Sequence, residues 1–404
     1  MSGQQSRRSL FQAASAAAAA ILTARRGNAQ APAQGQGQAQ PPIDLNKAQP
    51  NLAGEARNRP RMILPNPTPW QGSDKRAVVG LVQGDARRKM TCDALVAIDD
   101  QIKPVLARKK SVLIKPNNVG TSGGMGLTNV DTIKGILDYL APRFKGPIVI
   151  GESSSGDTMT GFENFKYTAL PAEFKDQKIS LVDFNTEGKY ILMPLLDFDL
   201  HVVPARLAQR VFDPDTFIIS SAVMKVHNIA VVSLAVKNMV LGAPLHQAPG
   251  ETTRWSDKRR YHAGIRQSLY NIYLTAQRMQ PFWGAAVIDG YEGVEGNFGA
   301  GATPVPTRAV VASTDFIAAD RVGAEVMGVD PEYLGWMKYC GDVGVGQWDL
   351  SKIDVRGAQI SAVKKTYKLH PDIELQLQWR GPMTELPPNL GWVRPVTDYI
   401  NVNA

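Results

Sequence analysis

The chain has 404 residues, a formal net charge of +8 and two cysteines, with 44% hydrophobic and 20% charged residues. That hydrophobic share is ordinary for a globular protein, and the length suits one large α/β domain or two smaller ones. The basic excess does not mark a nucleic-acid binder: residues 1–29 carry four arginines and no acid, so half of the net charge lies there, and no basic cluster is interleaved with aromatics.

The first element in chain order is an export signal. Ser6-Arg7-Arg8-Ser9-Leu10-Phe11 precedes an alanine-rich apolar run over 13–24, and Arg25-Arg26 and the small residues Ala29 and Ala31 follow. The apolar run is about half the roughly 20 residues that span a bilayer. A charged start, a short apolar middle and a small-residue end predict a cleaved signal, and the arginine pair predicts the twin-arginine export machinery as a partner and a periplasmic or otherwise exported location. An ordinary secretory signal or a basic tail is the alternative. No stable membrane insertion is expected after cleavage near Ala29. Residues 30–75 read as a flexible linker and extended arm, rich in Gln, Pro and Asn.

From residue 76 to 357 apolar runs and helical stretches alternate. Strands are predicted at 77–82, 111–115, 147–151, 179–183, 217–220, 285–290, 309–313 and 352–356. Helices are predicted at 91–108 with Thr91 as cap, from Thr128 or Asn129 to 140, and at 230–241, 261–279 and 316–327. Residues 190–193 and 200–203 read as a hairpin or an edge excursion, and 358–404 as a C-terminal extension. This rhythm predicts an α/β fold with a mainly parallel sheet, helices on both faces, and a less regular C-terminal region. Cys92 and Cys340 lie far apart in helical contexts; a bridge is open but two free thiols fit better.

Several predicted strands end in polar groups, and open parallel sheets bind ligands beyond the carboxyl ends of their strands. Lys115-Pro116-Asn117-Asn118 follows one strand and joins a cation, a fixed turn and two amides, a set suited to a carboxylate or phosphate; a plain turn is the alternative. Glu152 and Ser153 follow the next. Lys225 and His227 follow the strand at 217–220, and Lys237-Asn238 sits in an apolar helix where a lysine is costly to bury. His227 is a candidate proton carrier or ligand, or a structural histidine. Asp289, Glu292 and Glu295 lie among glycines and are read either as oxygen ligands for a divalent metal or as ion-pair partners of the lysines. The chain lacks G-x-S-x-G, H-E-x-x-H, Walker and G-x-G-x-x-G fingerprints after strands, so hydrolase, zincin and classical dinucleotide readings have no motif behind them.

These stretches together resemble the family known as domain of unknown function 362. The likeness rests on Leu113-Ile114-Lys115-Pro116-Asn117; on Lys225-Val226-His227 followed by Ser233 to Met239 and Gly242; on Val287-Ile288-Asp289-Gly290 with Glu295-Gly296; and on Asp315 to Asp320 leading to Met327-Gly328-Val329-Asp330-Pro331. It implies that Lys115, Asn117, Lys225, His227, Lys237, Asn238 and Asp289 act together. Some relatives carry ferredoxin-type cysteine clusters, but this chain lacks those cysteines, so no iron–sulfur cluster is expected. The leading expectation is an exported enzyme for a small anionic ligand. Lys115, Lys225 and His227 would be catalytic, and Asn117, Asn118, Glu152, Ser153, Lys237 and Asn238 would bind substrate. Asp289, Glu292 and Glu295 would hold a divalent metal. A non-catalytic anion- or metal-binding protein, or a redox or maturation partner without its own cluster, is the alternative.

Overall fold

Short β-branched runs alternating with amphipathic stretches give strands that bury both faces and helices that cover them. The computed structural model describes residues 72–380 except 253–255 and 298–300; the predicted signal, nearly all of the linker and arm, and the end of the C-terminal extension lie outside the described residues. The strands are β1 (Ala77–Gln83), β2 (Ser111–Lys115), β3 (Pro147–Glu152), β4 (Lys178–Asp183), β5 (Tyr190–Leu196), β6 (Val202–Ala208), β7 (Thr216–His227), β8 (Val231–Ser233), β9 (Trp283–Gly296), β10 (Ala302–Val305), β11 (Ala309–Ser313) and β12 (Ile353–Gly357). The helices used below are α1 (Arg87–Val96), α2 (Asp99–Leu106), α3 (Val130–Leu140), α4 (Thr158–Asn164), α5 (Ala235–Gly242), α6 (Ser256–Arg260), α7 (Ile265–Met279), α8 (Phe316–Val326) and α9 (Gly335–Asp342).

Among the described residues, ten strands form one sheet with the path β12-β1-β11-β9-β7-β2-β3-β4; β8 adds to β7 and β10 to β9, while β5 and β6 pair separately as an antiparallel hairpin. Along the main path only β11 runs against its neighbours. The fold is therefore α/β with a mainly parallel sheet. One face packs Val112, Ile114, Ile148, Ile150, Phe217 and Val287 against α1, α2, α3 and Phe162 of α4. The other packs Leu113, Ile218, Ala286 and Ile288 against α5, α7, α8 and α9. The chain moves outward from β2 to β3 and β4, then returns to lay β7 on the other side of β2. The strand order thus reverses at β2, and the crevice beyond β2 and β7 is where sheets of this kind take ligands.

Several predicted elements differ from the structure. The helix expected at 91–108 is two helices, α1 and α2, and Thr91 is not its cap but lies inside α1, with its hydroxyl on the Arg87 carbonyl. The helix expected from 230 begins at Ala235, because Val231–Ser233 folds back on β7 as β8. A run that is apolar throughout has no period that separates strand from helix. β7 and β9 run on to His227 and Gly296, past their expected ends, with β8 and β10 paired along the extensions. Cys92 and Cys340 are both free thiols. Among the described residues no helix is long and apolar enough to cross a membrane.

Candidate functional site

Lys115 closes β2 and is 1% exposed. Leu113, two residues earlier, packs toward the α5 layer, and alternation along a strand sends Lys115 the same way. Its Nζ donates to Glu152 Oε2 at 2.8 Å, to Asn238 Oδ1 at 3.0 Å and to the Pro116 carbonyl at 2.6 Å, so all three protons are engaged. Glu152, closing β3, also accepts the backbone N–H of Asn118 at 3.0 Å and of Ser153 at 2.9 Å. A buried ion pair persists only when its remaining donors and lone pairs are satisfied in this way. Gly242, at the end of α5, makes room for it: a Cβ there would collide with Cε and Nζ of Lys115 and lie 3.3 Å from Glu152 Oε1.

Two amides extend the network. Asn117 Nδ2 donates to Asn238 Oδ1 at 3.0 Å, and Asn117 Oδ1 accepts from Lys225 Nζ at 2.6 Å. Asn238 Nδ2 donates to the Lys115 carbonyl and to Ser220 Oγ. Lys225 Nζ also donates to the Gly126 carbonyl at 2.8 Å, in the Gly-rich loop after β2. Thr128 anchors that loop: its hydroxyl accepts from the Asn117 N–H and donates to the Ser221 carbonyl. Asn118 is buried with Oδ1 and Nδ2 lacking a well-formed hydrogen bond. Ser153 gives its hydroxyl to the Gly242 and Pro244 carbonyls, so it ties the β3 loop to the end of α5.

Two further lysines share this region. Lys237, in the first turn of α5, is 7% exposed and makes no hydrogen bond or ion pair among the described residues. Lys258 of α6 is buried and donates to the Leu241 carbonyl at 3.1 Å. Burial, with the Lys115 ammonium adding to it, pushes Lys225 down to about 7. Burial, then Lys225 and Lys258, push Lys237 well below the ordinary lysine range. Burial lowers Lys258 to about 8 against the pull of Glu152, and lowers Lys115 against the same pull. Two N–H groups at the start of α5 are already taken: Asp320 accepts from Ala235 N at 2.7 Å and Val236 N at 3.0 Å, with burial raising its carboxyl to about 8.

His227 ends β7, and its Nδ1 accepts the N–H of Ile229 at 3.1 Å and, more weakly, of Ala230, closing the turn into β8. Burial and the nearby Lys237 push this imidazole well below its usual range. A neutral ring that accepts at Nδ1 carries its proton on Nε2, so His227 presents a donor. The turn takes up the lone pair that a base would use.

The three acids expected to hold a metal do not converge. Asp289 shares the face of Val287, toward α1 and α3, while Lys115 lies toward α5. Asp289 Oδ2 accepts the Thr132 hydroxyl at 2.6 Å and pairs with Arg87 Nε at 3.2 Å, and Oδ1 accepts the Tyr291 N–H. Glu295 is held by the Thr303 hydroxyl and the Lys368 N–H, and Glu292 is exposed. Among the described residues these acids therefore do not form a ligand set. Among the described residues the group able to hold a cation is Asp197, Asp199 and His201 in the β5–β6 connection, with one ligand atom from each within 4.8 Å of the others. Its Asp-x-Asp-x-His spacing was visible in the sequence and passed over. Lys258 gave no such signal, since Asp257-Lys258-Arg259-Arg260 reads as a solvated charge run until packing buries it.

Fold and site define an α/β protein with a buried, lysine-rich polar centre beyond the strand ends at a topological reversal. Residues 112–325 match the family model described as Domain of unknown function (DUF362), and the chain belongs to that family. No curated protein matches it. Among solved structures it is similar to the crystal structure of a Thermotoga maritima protein determined as a structural-genomics target, at 12% identity and a TM-score of 0.36. The match covers 60% of this chain and 60% of that one.

Proposed function

We propose that this protein binds a small anionic molecule, carrying carboxylate or phosphate groups, in the lysine centre, and acts on it there. One observation carries this reading: Lys115, Lys225, Lys237 and Lys258 are all buried, and Lys115 pairs with the buried carboxylate of Glu152. Glu152 is already occupied by Lys115 and two backbone N–H groups. Burying several cations together costs several kcal/mol per ion, and an anion would lower that cost across the lysine centre. Asn117, Asn118 and Asn238 would orient the ligand, and the Nε2–H of His227 would polarise it. Lysines displaced this far from their ordinary range are a mark of sites that do chemistry, which favours an enzyme over a storage protein. The described residues give no support for a divalent metal beside the lysines. The amino-terminal arginine pair supports export of the folded chain.

The test is thermal unfolding of the full chain with sodium phosphate or malonate, against sodium chloride at matched ionic strength. A saturable rise in Tm is expected with one of the multivalent anions, and it should vanish in Lys225→Met. If neither anion differs from chloride, the reading fails.

A further inference from the structure

The hairpin of β5 and β6 presents an apolar face to solvent. Met193 and Leu195 of β5 and Val203, Ala205 and Leu207 of β6 are buried against the body of the fold. Alternation turns Leu192 and Pro194 the other way, and Val202 with them through its register with Leu196. Leu192 is 56% exposed and Val202 69%. Five of the eleven large hydrophobic side chains exposed among the described residues fall between Tyr190 and Val202. Apolar residues scattered singly over a surface are ordinary, whereas a group gathered on one hairpin marks a contact surface. Leu200 at the tip has a φ of 65°, which favours glycine or asparagine, yet the chain places an exposed leucine there. Both edges of the hairpin are engaged. On the β5 side Asn271 pairs with the N–H and the carbonyl of Leu196, and Arg278 donates to the Leu192 carbonyl. On the β6 side the Ala208 N–H reaches the Ala243 carbonyl, Leu245 donates to the Arg206 carbonyl, and Arg260 donates to the Pro204 carbonyl. With those groups engaged the hairpin does not invite a further strand, and what it offers is its apolar face.

We propose that this face is the docking surface for the chain's own residues 381–404. The place where the described chain ends points there. Its last turn, Leu377–Arg380, is tied to the start of α7: Arg266 donates to the Gln378 carbonyl at 2.6 Å and to the Trp379 carbonyl at 3.2 Å. One residue on, Gln267 donates to the Phe198 carbonyl at 2.9 Å, and a Cβ at Gly264 would lie 3.2 Å from the Phe198 ring. The hairpin tip and the point where residue 381 departs therefore meet at one end of α7. The 24 residues that follow hold three charges, Glu385, Arg394 and Asp398, against Leu390, Trp392, Val393, Val396, Tyr399 and Ile400. About seven extended residues match β5 from end to end, so the segment has ample reach. Its four prolines, Pro382, Pro387, Pro388 and Pro395, lack the N–H that a ladder needs, which suits contact through side chains on a face. The rings of Trp392 and Tyr399 would pack on Leu192, Pro194 and Val202. This docking is independent of what the lysine centre binds.

Two measurements on the full chain test it. In hydrogen–deuterium exchange, amides within 390–402 should exchange about tenfold or more slower in the native chain than in Val202→Asp, while β7 and β9 exchange alike in both. Val202 is mostly exposed, so the aspartate disturbs no core contact and the fold survives the change. With p-benzoylphenylalanine in place of Leu192, irradiation at low protein concentration should crosslink to residues within 381–404 of the same chain, read by intact mass and peptide mapping. Crosslinks joining two copies assign the face to a dimer. Flotation with phosphatidylglycerol vesicles, without intrachain crosslinks, assigns it to lipid. Either result overturns the inference, and so does fast exchange of 390–402 in the native chain, protection that Val202→Asp leaves intact, or the absence of any crosslink to 381–404.

Discussion

Lys115 and Glu152 show how much of the site rests on single contacts. Both are almost fully buried, and each is the other's charge partner at 2.8 Å. Replacing Lys115 by Met should cost about 3–5 kcal/mol, because it strands a buried carboxylate, whereas the double change Lys115→Met with Glu152→Leu should recover most of that loss. Urea unfolding of the three variants checks this; a double variant as unstable as the single one would contradict it. Gly242→Ala reaches the same pair by sterics. Its Cβ has no space beside Lys115, so a loss of about 1–3 kcal/mol and weaker binding of phosphate or malonate are expected, measured by unfolding and titration. Lys225 gives the pH dependence a sign. Its folded value of about 7 lies below the unfolded value of about 10.4, so the unfolded chain holds the extra proton between those pH values. Its unfavourable contribution is complete below pH 7 and fades as pH rises toward 10. The stability of the native chain relative to Lys225→Met should therefore increase from pH 6.5 to pH 9. A flat or falling difference would contradict the assignment. At this scale the sequence made Lys115-Pro116-Asn117-Asn118 legible, because a charge and amides after an apolar strand have few structural reasons to be there. It could not show which way Asp289 points. Alternation assigns two residues to one face, but only the packed helices say which face carries the lysines.

At the scale of elements, β7, β8 and α5 form one device. β7 carries Lys225 and His227 past the sheet edge, β8 turns back on it, and α5 returns with Lys237 and Asn238. Val231, at φ 62°, makes the turn tight, and its N–H is received by Gln376 Oε1 at 2.8 Å. Asp320 fixes the start of α5 from α8 by accepting two of its N–H groups. Asp320→Ala leaves both donors buried and unpaired, for a loss of about 2–4 kcal/mol, and should weaken anion binding by loosening the start of α5. Chemical unfolding together with malonate titration checks it; full affinity in a destabilised variant would show that α5 holds its place without this contact. The strands β2, β3, β4 and β11 were legible nearly to the residue, since each is a short β-branched run bounded by turn residues. The β8 excursion was not, because Ala230 to Val236 is apolar but for Ser233 and so has no period that separates strand from helix.

For the whole molecule, the reversal of strand order at β2 explains why residues as far as 123 positions apart meet. Lys115 reaches Asn238 because β2 and β7 are neighbours and α5 follows β7 directly. The alternating pattern made the α/β class and the mainly parallel sheet readable. Strand order was not, because apolar runs look alike and the long-range pairing that selects among them leaves no local trace. Export belongs to this scale too. Changing Arg7 and Arg8 together to Lys should hold the chain in the cytoplasm, as followed by fractionation; unchanged export would remove the twin-arginine route. The central claim concerns charge: four buried lysines gathered beyond the strand ends, completed by an anion. Calorimetric titration of malonate or phosphate at pH 8, repeated in two buffers of different ionisation enthalpy, counts the protons that move. The account expects saturable binding with uptake of at least about half a proton, growing between pH 6.5 and pH 8, as the depressed lysines recharge. Binding with no uptake, or with proton release, would contradict it.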